Sequence, residues 1–499
     1  MPILLAFVQV ALHLPGIARY GYFRDELYYL ACARHLAWGY VDQPPLSIAA
    51  LAGWRALFGD SLASIHVVPI LLGAATVVLT AALARRLGGG PYARFLAALA
   101  AAFSPIYLGT TRYWSMNSFD LLFWTAGALL LHRCLERGSR RDWILFGVLV
   151  GLGLMNKISV LWFAGGSFLA MALTPGRRRL LTPWPWIAAA IAGALFLPYV
   201  LWEMGHGWPT LEFMRNATAE KNVHFSPVAF AAQQVMAMNP AALPIWLTGL
   251  VATIRSPEPG RRGLGVTFLA VAVVLVASGA SKPDYLAPAY PMLLAPGAVA
   301  IERALSRRRL RWIGPALPAA VALLGLVALP IAVPILPVDA YVRYSRALGI
   351  TPPQAERLAV ADLPQHYADM FGWEEISAAV GEAYRSLPPA DRARAIVIAQ
   401  NYGEAAALEF FGPKTGEFPR VACGHNSYWY WGVGRWKGEV AIVLGGDLDG
   451  YRKRFSRLEP EGVVPPTRGM PYERNLTISV IRGLRVPMAE YWRWERLII

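Results

Sequence analysis

Long apolar runs separated by short polar gaps dominate the first 337 residues of the chain. A membrane-spanning helix needs about 20 mostly apolar residues, and on this rule the pattern predicts about eleven transmembrane helices. The predicted spans are 1–18, 62–84, 93–111, 115–132, 142–156, 158–173, 184–202, 236–254, 264–280, 285–301 and 312–336. This part of the chain is therefore expected to be a polytopic α-helical membrane domain, residues 1–337.

The pattern changes after residue 337. A helical spacing of apolar residues covers 370–387, and the runs RAIVIAQ and EVAIVLG indicate buried strands. NYGEAAALEFFG, between the two strands, is typical of a helix that ends at Gly412. These elements predict a second, α/β domain over residues 338–499. Its aromatic stretch 424–434 is suited either to stacking on a sugar or to forming a core strand and turn.

Composition agrees with a chain that is partly dissolved in lipid. Only 16% of residues are charged and the mean hydropathy is +0.39, whereas soluble domains carry about 25% charged residues. The net charge of +15 does not indicate a nucleic-acid partner, because residues 1–337 hold 27 Lys and Arg against 13 acids, and the rest hold 20 against 19. The excess lies between apolar runs. The three cysteines form no metal-ligand pattern, and no cleavable signal peptide is evident at the start.

Basic residues are concentrated in every second gap between the predicted spans. The gaps 84–94, 132–142, 174–183, 255–263 and 302–312 contain 18 Lys and Arg, and the longer alternate gaps contain 9. Basic loops stay in the cytoplasm. This places the N-terminus inside, and the first loop, residues 19–61, and the C-terminal domain outside the cytoplasmic membrane. Most acids of the membrane domain then lie at the outer face, whereas a transporter more often buries charges at mid-bilayer.

The first loop carries the most unusual cluster, GYFRDELYYLACARHLAWGYVDQPPL, residues 21–46. Asp25 and Glu26 open a predicted helix that Gly39 would end. Asp25 could simply be an N-cap and Glu26 a first-turn acid. Alternatively, Asp25 binds a metal or takes a proton from an acceptor hydroxyl.

Asp120 is a second candidate acid, just inside a predicted span, with Asn117 one turn earlier on its face. A carboxylate there needs a partner, unless it reaches the interface from the helix end. Basic residues at the predicted outer helix ends and loops are candidates for binding a lipid phosphate or diphosphate. They are Arg24, Arg112, Lys157 and Lys282, with His206, Arg215, Lys221 and His224 in the loop 206–225. Each lysine could instead extend to the lipid interface, and a lone histidine is more often structural.

Several motifs together resemble those of bacterial family 39 glycosyltransferases of the GT-C superfamily, which include protein O-mannosyltransferases and lipid A aminoarabinose transferases. The matching segments are GYFRDELYYL, GYVDQPPL, MNSFDLLFW, MNKIS, GWPTLEF, KPDYLAPAYP, and, in the tail, QHYADMFGWEEI and NYGEAAALEFFG. The resemblance implies a GT-C fold and sugar transfer from a polyprenyl-phosphate donor outside the cytoplasmic membrane. It implies Asp25 with Glu26 as the first-loop catalytic acids and Asp120 as the second acid. Lys157, Lys282 and Tyr285 are then expected to contact the donor phosphate.

The resemblance also implies that first-loop amphipathic helices lie on the membrane surface. A divalent metal between Asp25 and Asp120 is an open expectation, since some relatives use one and others do not. The leading hypothesis is an inverting glycosyltransferase whose acceptor is a lipid, a glycan or a protein. The alternative is a non-catalytic flippase or transporter of a lipid-linked sugar. No Gly-rich phosphate loop is present.

Overall fold

The computed structural model describes residues 1–279, 281–305, 313–351, 356–357, 359 and 362–499. Residues 306–312 of the basic gap 302–312 and the ends of two predicted spans, residues 280 and 312, lie outside the described residues.

Helices are the main secondary structure of the described chain up to residue 332, where the one strand-like pairing is an isolated bridge at Asn222. They are α1 Pro2–His13, α2 Arg24–Cys32, α3 Leu46–Phe58, α4 Leu62–Arg86, α5 Pro91–Ala102, α6 Pro105–Thr110, α7 Met116–Glu136, α8 Arg140–Leu154, α9 Val160–Leu173, α10 Trp184–Gly205, α11 Pro209–Asn216, α12 Pro227–Ala237, α13 Leu243–Ile254, α14 Pro259–Ser278, α15 Pro291–Leu305 and α16 Ile313–Ala332. The predicted helical character of this region is confirmed.

The predicted count of eleven spans is not confirmed when length and apolarity are both required of a single described helix. Among the described residues, four helices are long and apolar enough to cross a bilayer, namely α4, α10, α14 and α16. A fifth span results if α12 and α13, which meet at a bend of 99°, count as one. Several predicted runs are divided into shorter helices; 93–111, for example, becomes α5 and α6, separated at Phe103 and Ser104. Proline at the first turn of α6 favours a new helix start there.

The C-terminal third combines short helices with one mixed sheet. Its elements are α17 Val338–Ala347, α18 Gln365–Ala368, α19 Trp373–Ser386, α20 Pro389–Arg392, β1 Ala395–Ala399, α21 Tyr402–Phe411, β2 Arg420–Cys423, α22 Ser427–Trp431, β3 Val440–Leu444, α23 Leu448–Arg454, β4 Phe455–Val463, β5 Thr477–Leu484 and α24 Met488–Trp494. The strand order is β2-β1-β3-β5-β4, with β1 parallel to β2 and β3, and β5 antiparallel to β3 and β4. The predicted helix in 370–387, both predicted strands and the helix before Gly412 are confirmed.

Three sequence expectations, two about the first loop and one about the aromatic stretch, need correction. Helix α2 ends at Cys32, well before Gly39, because the Cys32 carbonyl accepts hydrogen bonds from the His35 amide and the Tyr40 hydroxyl. α2 does not lie on a membrane surface; its side chains from Leu27 to Cys32 are buried, in one core with α21. The aromatic stretch 424–434 is neither a loop throughout nor a strand, since it contains the helical turn α22.

The first loop and residues 338–499, called the C-terminal region below, meet at the same end of the helical bundle, as the charge pattern predicts. The Val41 amide, for example, donates to the Ser427 hydroxyl at 3.2 Å. The C-terminal ends of α4 and α7 lie at the opposite end, where Arg85, Arg86, Arg133 and Arg137 line one pocket. We call these ends the cavity end and the basic end.

Candidate active site

A cavity of about 770 Å³ lies between the first loop, the helical bundle and the C-terminal region. Its polar lining residues come from all three parts of the chain. They are Arg24, Asp25, Asp42, Asn117, Lys157, Ser159, Glu203, Thr210, Thr218, Lys221, Asn222, Ser278, Ser281, Lys282, Asp284, Glu356, Gln365, His366 and Asn426, together with the hydroxyl-bearing aromatics Tyr113, Tyr199, Tyr285 and Tyr402.

Asp25 reaches this cavity from the first turn of α2. Phe23 is the N-cap of that helix, so Asp25 is its second residue and not its cap. Its Oδ1 accepts a hydrogen bond of 2.9 Å from the Tyr402 hydroxyl and lies 3.5 Å from Nε of Arg24. The side chain is still 39% exposed. A carboxylate held in this way can accept a proton from a molecule in the cavity.

Arg24, the ionic partner of Asp25, is held by the C-terminal region. Its Nη2 lies 3.8 Å from Oδ2 of Asp369, its Nη1 donates to the Tyr472 hydroxyl, and its guanidinium lies 5.4 Å from the centroid of the Tyr402 ring. The Arg24 amide also donates to the Asp369 carbonyl at 2.9 Å. Burial raises the pKa of Asp369 to about 7 although Arg24 opposes the shift. Residues far apart in sequence thus fix the Arg24–Asp25 pair.

Glu26 turns away from the cavity. Its side chain is fully buried, and its Oε1 accepts hydrogen bonds from Nε2 of His66 at 2.9 Å and from the Trp114 amide at 2.7 Å. Its Oε2 accepts from the Phe23 amide, as an N3 acid does in a capping box. The structure therefore gives the predicted catalytic residue Glu26 a structural position, which joins α2 to the bundle and satisfies the helix start.

Asp120 lies behind the cavity wall. Its carboxylate is 1% exposed; Oδ2 accepts a 3.0 Å hydrogen bond from the Ser159 hydroxyl and lies 3.6 Å from Nζ of Lys157. The same lysine donates to Oδ1 of Asn117 at 2.7 Å. Lys157 and Asn117 line the cavity and Asp120 does not. Asp120 thus has the partners that a buried carboxylate needs, and Lys157 connects it to the cavity.

A second cationic group lies on the wall formed by the C-terminal region. Nζ of Lys282 is 2.7 Å from Oε1 of Glu356, and Nζ of Lys221 is 3.8 Å from the same oxygen. Gln365 donates to the other oxygen at 2.9 Å. Burial opposes the charge of Glu356, but Lys221 and Lys282 hold its pKa well below the usual range. Burial likewise opposes the charge of Lys282, while Glu356 raises the pKa of this lysine.

Asp42 is a further acid of the cavity, and its Oδ1 accepts a 3.2 Å hydrogen bond from the Tyr28 hydroxyl. Burial, and then the charge of Asp25, raise the pKa of Asp42 to about 7. No described basic residue forms an ion pair with it. Asp42 therefore changes its charge near neutral pH.

Of the other predicted binding residues, the structure brings Tyr285 into the cavity, with Nζ of Lys157 5.3 Å from its ring centroid. Arg112 and His206 do not line the cavity. Arg112 is buried against the C-terminal region and donates to the His366 carbonyl at 2.8 Å. His206 lies on the surface, stacked on Trp202 with ring centroids 4.2 Å apart.

One flank of the cavity is apolar and open. Leu161, Trp208, Leu211 and Met214 line the cavity and are each more than 40% exposed at the outside of the protein. These side chains belong to α9 and α11 and to the turn before α11. This flank therefore offers an apolar entrance to the charged interior.

The acids predicted to hold a metal do not form a metal site of their own. Among the described residues, no group of three or more His, Cys, Asp and Glu side chains is arranged around one point. Asp120 already has a lysine and a hydroxyl as partners, and Asp25 has an arginine and a tyrosine. The cations beside both acids supply positive charge from side chains.

Sequence reasoning missed Tyr402, Glu356 and Asp42 as site residues. Tyr402 and Glu356 come from the C-terminal region, and nothing local to their segments indicates which face of the bundle they approach. The sequence did offer an indication for Asp42, because it is an isolated acid directly before a Gln-Pro-Pro turn in the same loop as Asp25.

Comparisons with known proteins agree with the geometry. Residues 42–202 match the family model described as dolichyl-phosphate-mannose-protein mannosyltransferase. The undecaprenyl phosphate-α-4-amino-4-deoxy-L-arabinose arabinosyl transferase of Pseudomonas aeruginosa is 27% identical over 286 residues, covering 53% of this chain and 50% of the relative. The lipid A galacturonosyltransferase RgtD of Rhizobium johnstonii is 26% identical over 269 residues, covering 51% and 54%. The chain thus spans about half the length of the curated relatives it matches.

The fold matches that of a solved structure over almost the full length. The crystal structure of ArnT from Cupriavidus metallidurans bound to undecaprenyl phosphate superposes with a TM-score of 0.60 at 14% identity, covering 97% of this chain and 98% of that one. The resemblance of the sequence to GT-C glycosyltransferases is confirmed in sequence and in fold.

Proposed function

We propose that this chain is a membrane glycosyltransferase that moves a sugar from a polyprenyl-phosphate donor to an acceptor. The observation that supports this most is one cavity in which an exposed carboxylate, Asp25, lies with three lysines, Lys157, Lys221 and Lys282, and which is open to the bilayer on an apolar flank. The name of one relative, the undecaprenyl phosphate-α-4-amino-4-deoxy-L-arabinose arabinosyl transferase, points to the same donor class, and that of the other, a lipid A galacturonosyltransferase, is that of a sugar transferase acting on a lipid.

The lysines are suited to the donor phosphate. When the bond between the anomeric carbon and the phosphate oxygen breaks, the leaving polyprenyl phosphate gains a negative charge, and fixed cations in a desolvated site stabilise it. Lys157 is fixed by Asn117 and Asp120, and Lys282 by Glu356. Such lysines need little reorganisation when that charge develops.

Asp25 is suited to the acceptor. Its carboxylate accepts the proton of the acceptor hydroxyl or amine while the acceptor atom attacks the anomeric carbon and the phosphate leaves. Attack on the face opposite the leaving group inverts the anomeric carbon. Arg24 and Tyr402 orient the carboxylate and leave a large part of it free for the acceptor.

The proposal also specifies how the lipid donor reaches the cavity and on which side of the membrane the cavity lies. The polyprenyl chain enters along the apolar flank formed by Leu161, Trp208, Leu211 and Met214. The positive-inside distribution supports a cavity on the outer side of the cytoplasmic membrane, with residues 338–499 as an extracytoplasmic domain above residues 1–337. The acceptor is a lipid, a glycan or a protein. A flippase for the same lipid-linked sugar would need the cavity but not the carboxylate chemistry.

The test has two stages. Lipid analysis of a strain that lacks the chain is expected to reveal an accumulated polyprenyl-phosphate sugar, which then serves as donor for the purified full-length protein in lipid nanodiscs. Release of free polyprenyl phosphate that depends on the acceptor and is lost in Asp25→Asn supports the proposal. Full release by an inserted Asp25→Asn protein would falsify the catalytic assignment, and sugar movement across proteoliposomes without bond cleavage would identify a flippase.

A further inference from the structure

Helices α4 and α7 carry arginines at the ends that lie away from the cavity. α4 begins near the first loop, where His66 contacts Glu26, and α7 begins at the cavity with Met116 and Asn117. With 25 and 21 residues, they are roughly 37 and 31 Å long at 1.5 Å per residue. Their last turns are therefore about one membrane thickness from the candidate active site.

A separate pocket of about 460 Å³ lies between these last turns. Arg85 and Arg86 of α4 and Arg133 and Arg137, at the end of α7, form its rim, and Ala82 and Leu129 form its floor. The floor residues precede the arginines by about one helical turn on each helix, so they lie deeper toward the bilayer interior. The pocket thus has a cationic rim and an apolar floor.

The rim carries excess positive charge. Arg133 pairs with Asp142, but Arg85, Arg86 and Arg137 form no ion pair with any residue that the structure describes. Two other arginines at this end do have partners: Nε of Arg261 is 2.7 Å from Glu258, and Arg179 donates to the Glu136 carbonyl at 3.0 Å. Helix dipoles and the positive-inside rule account for basic residues at this level. They do not require four arginines from two helices to line one concave pocket.

We propose that this pocket binds an anionic phospholipid, with its phosphate on the arginine rim and the upper part of an acyl chain on Ala82 and Leu129. Guanidinium groups bind phosphate through paired N–H donors. A free phosphate would use only the rim, whereas a phospholipid also covers the apolar floor. This site is independent of the proposed sugar transfer.

The test uses purified, delipidated full-length protein and native mass spectrometry. Phosphatidylglycerol and cardiolipin are titrated against phosphatidylethanolamine for wild type, for the pocket variant Arg85→Gln/Arg137→Gln and for the matched control Arg177→Gln/Arg178→Gln. The control removes two exposed arginines from the same end that do not line the pocket. Two cations that contact the head group of a bound anionic lipid change its affinity by about 30-fold. We expect that loss for anionic lipid in the pocket variant, less than about twofold in the control, and no change for phosphatidylethanolamine.

Three results would overturn the proposal. An equal loss in the control would mean that only the overall charge of the face matters. Displacement of the lipid by inorganic phosphate at equal head-group concentration would mean that only the rim is used. If the arginine variant does not fold, Leu129→Phe fills the floor with all four arginines in place, and anionic lipid binding unchanged in that variant would also exclude the site.

Discussion

Positively charged side chains are paired with carboxylates at the cavity end and are mostly unpaired at the basic end. At the cavity end, four cations each lie within 4 Å of a carboxylate, namely Arg24, Lys157, Lys221 and Lys282. Three of the partner carboxylates are almost fully buried, those of Asp120, Asp369 and Glu356. At the basic end three of the four pocket arginines have no ionic partner among the described residues, and Arg85 and Arg137 are exposed. Burying an unpaired charge is costly, so charges brought out of water come with counter-ions.

This difference separates two roles of positive charge. Paired, fixed cations in a desolvated cavity are prepared for charge that develops during a reaction. Unpaired cations near solvent orient helices and attract anionic lipid. Substitutions at the cavity end are therefore expected to change catalysis, and substitutions at the basic end only lipid binding.

The largest effect is expected for Asp25→Asn, which keeps the shape of the side chain but removes the proton acceptor. General base catalysis contributes about 10²- to 10⁴-fold, and we expect kcat to fall by about 10³-fold with a nearly unchanged KM for the donor. The matched control is Asp60→Asn, a first-loop acid that pairs with Arg55 outside the cavity. A similar loss in both variants would show that the effect comes from the fold of the loop.

Tyr402→Phe tests whether the C-terminal region belongs to the reaction centre. It removes the 2.9 Å hydrogen bond to Asp25 and keeps the ring beside Arg24. Hydrogen bonds to charged groups contribute about 1.5–3 kcal/mol, so we expect kcat to fall at least about tenfold while KM stays constant. Tyr384→Phe, whose hydroxyl contacts Arg392 and Glu417 away from the cavity, is the control. If Tyr402→Phe lowered kcat as much in an Asp25→Asn background as it does in wild type, the assigned contact between Tyr402 and Asp25 would be contradicted.

These two residues also show how far the sequence could be used for prediction. The helices, the strands β1 and β3, the side of the bundle on which the first loop lies, and Asp25, Lys157, Lys282 and Tyr285 as cavity residues follow from apolar periodicity, charge distribution and family-like motifs. Tyr402 and Glu356 do not, because tertiary packing alone decides which residues of a distant domain approach α2. Glu26 does not line the cavity as Asp25 does, because adjacent residues in the first turn of a helix point in directions about 100° apart.

Asp369 is expected to give the activity a pH dependence. Burial raises its pKa to about 7, so the carboxylate is protonated below that pH and its attraction for Arg24 weakens. We expect kcat to rise several-fold as the pH increases through about 7, and Asp369→Asn to reduce that rise. Asp42 has a pKa in the same range, so Asp42→Asn is measured in parallel. A profile unchanged in Asp369→Asn but flattened in Asp42→Asn would assign the dependence to Asp42.

A smaller effect, on stability, is expected for Glu356→Gln. The lysines hold the pKa of Glu356 below its ordinary value of 4.5. The ionised carboxylate therefore stabilises the folded state above about pH 4.5, and this contribution is lost as the pH falls below that value. We expect the variant to have a lower Tm than wild type at pH 7 and the difference to shrink near pH 4. A constant difference would mean that packing of Glu356, and not its charge, stabilises the fold.

The smallest effect is expected for Arg85→Gln on the reaction itself. Arg85 lies about one helix length from the cavity, is exposed and forms no ion pair with a described residue. Over such a distance its charge is screened by salt, because the Debye length is about 8 Å at physiological ionic strength. We expect kcat and the donor KM in nanodiscs to stay within about twofold of wild type, measured in neutral and in anionic lipid. A larger change in neutral lipid would mean that the two ends are coupled through α4, and that the separation of their roles is incomplete.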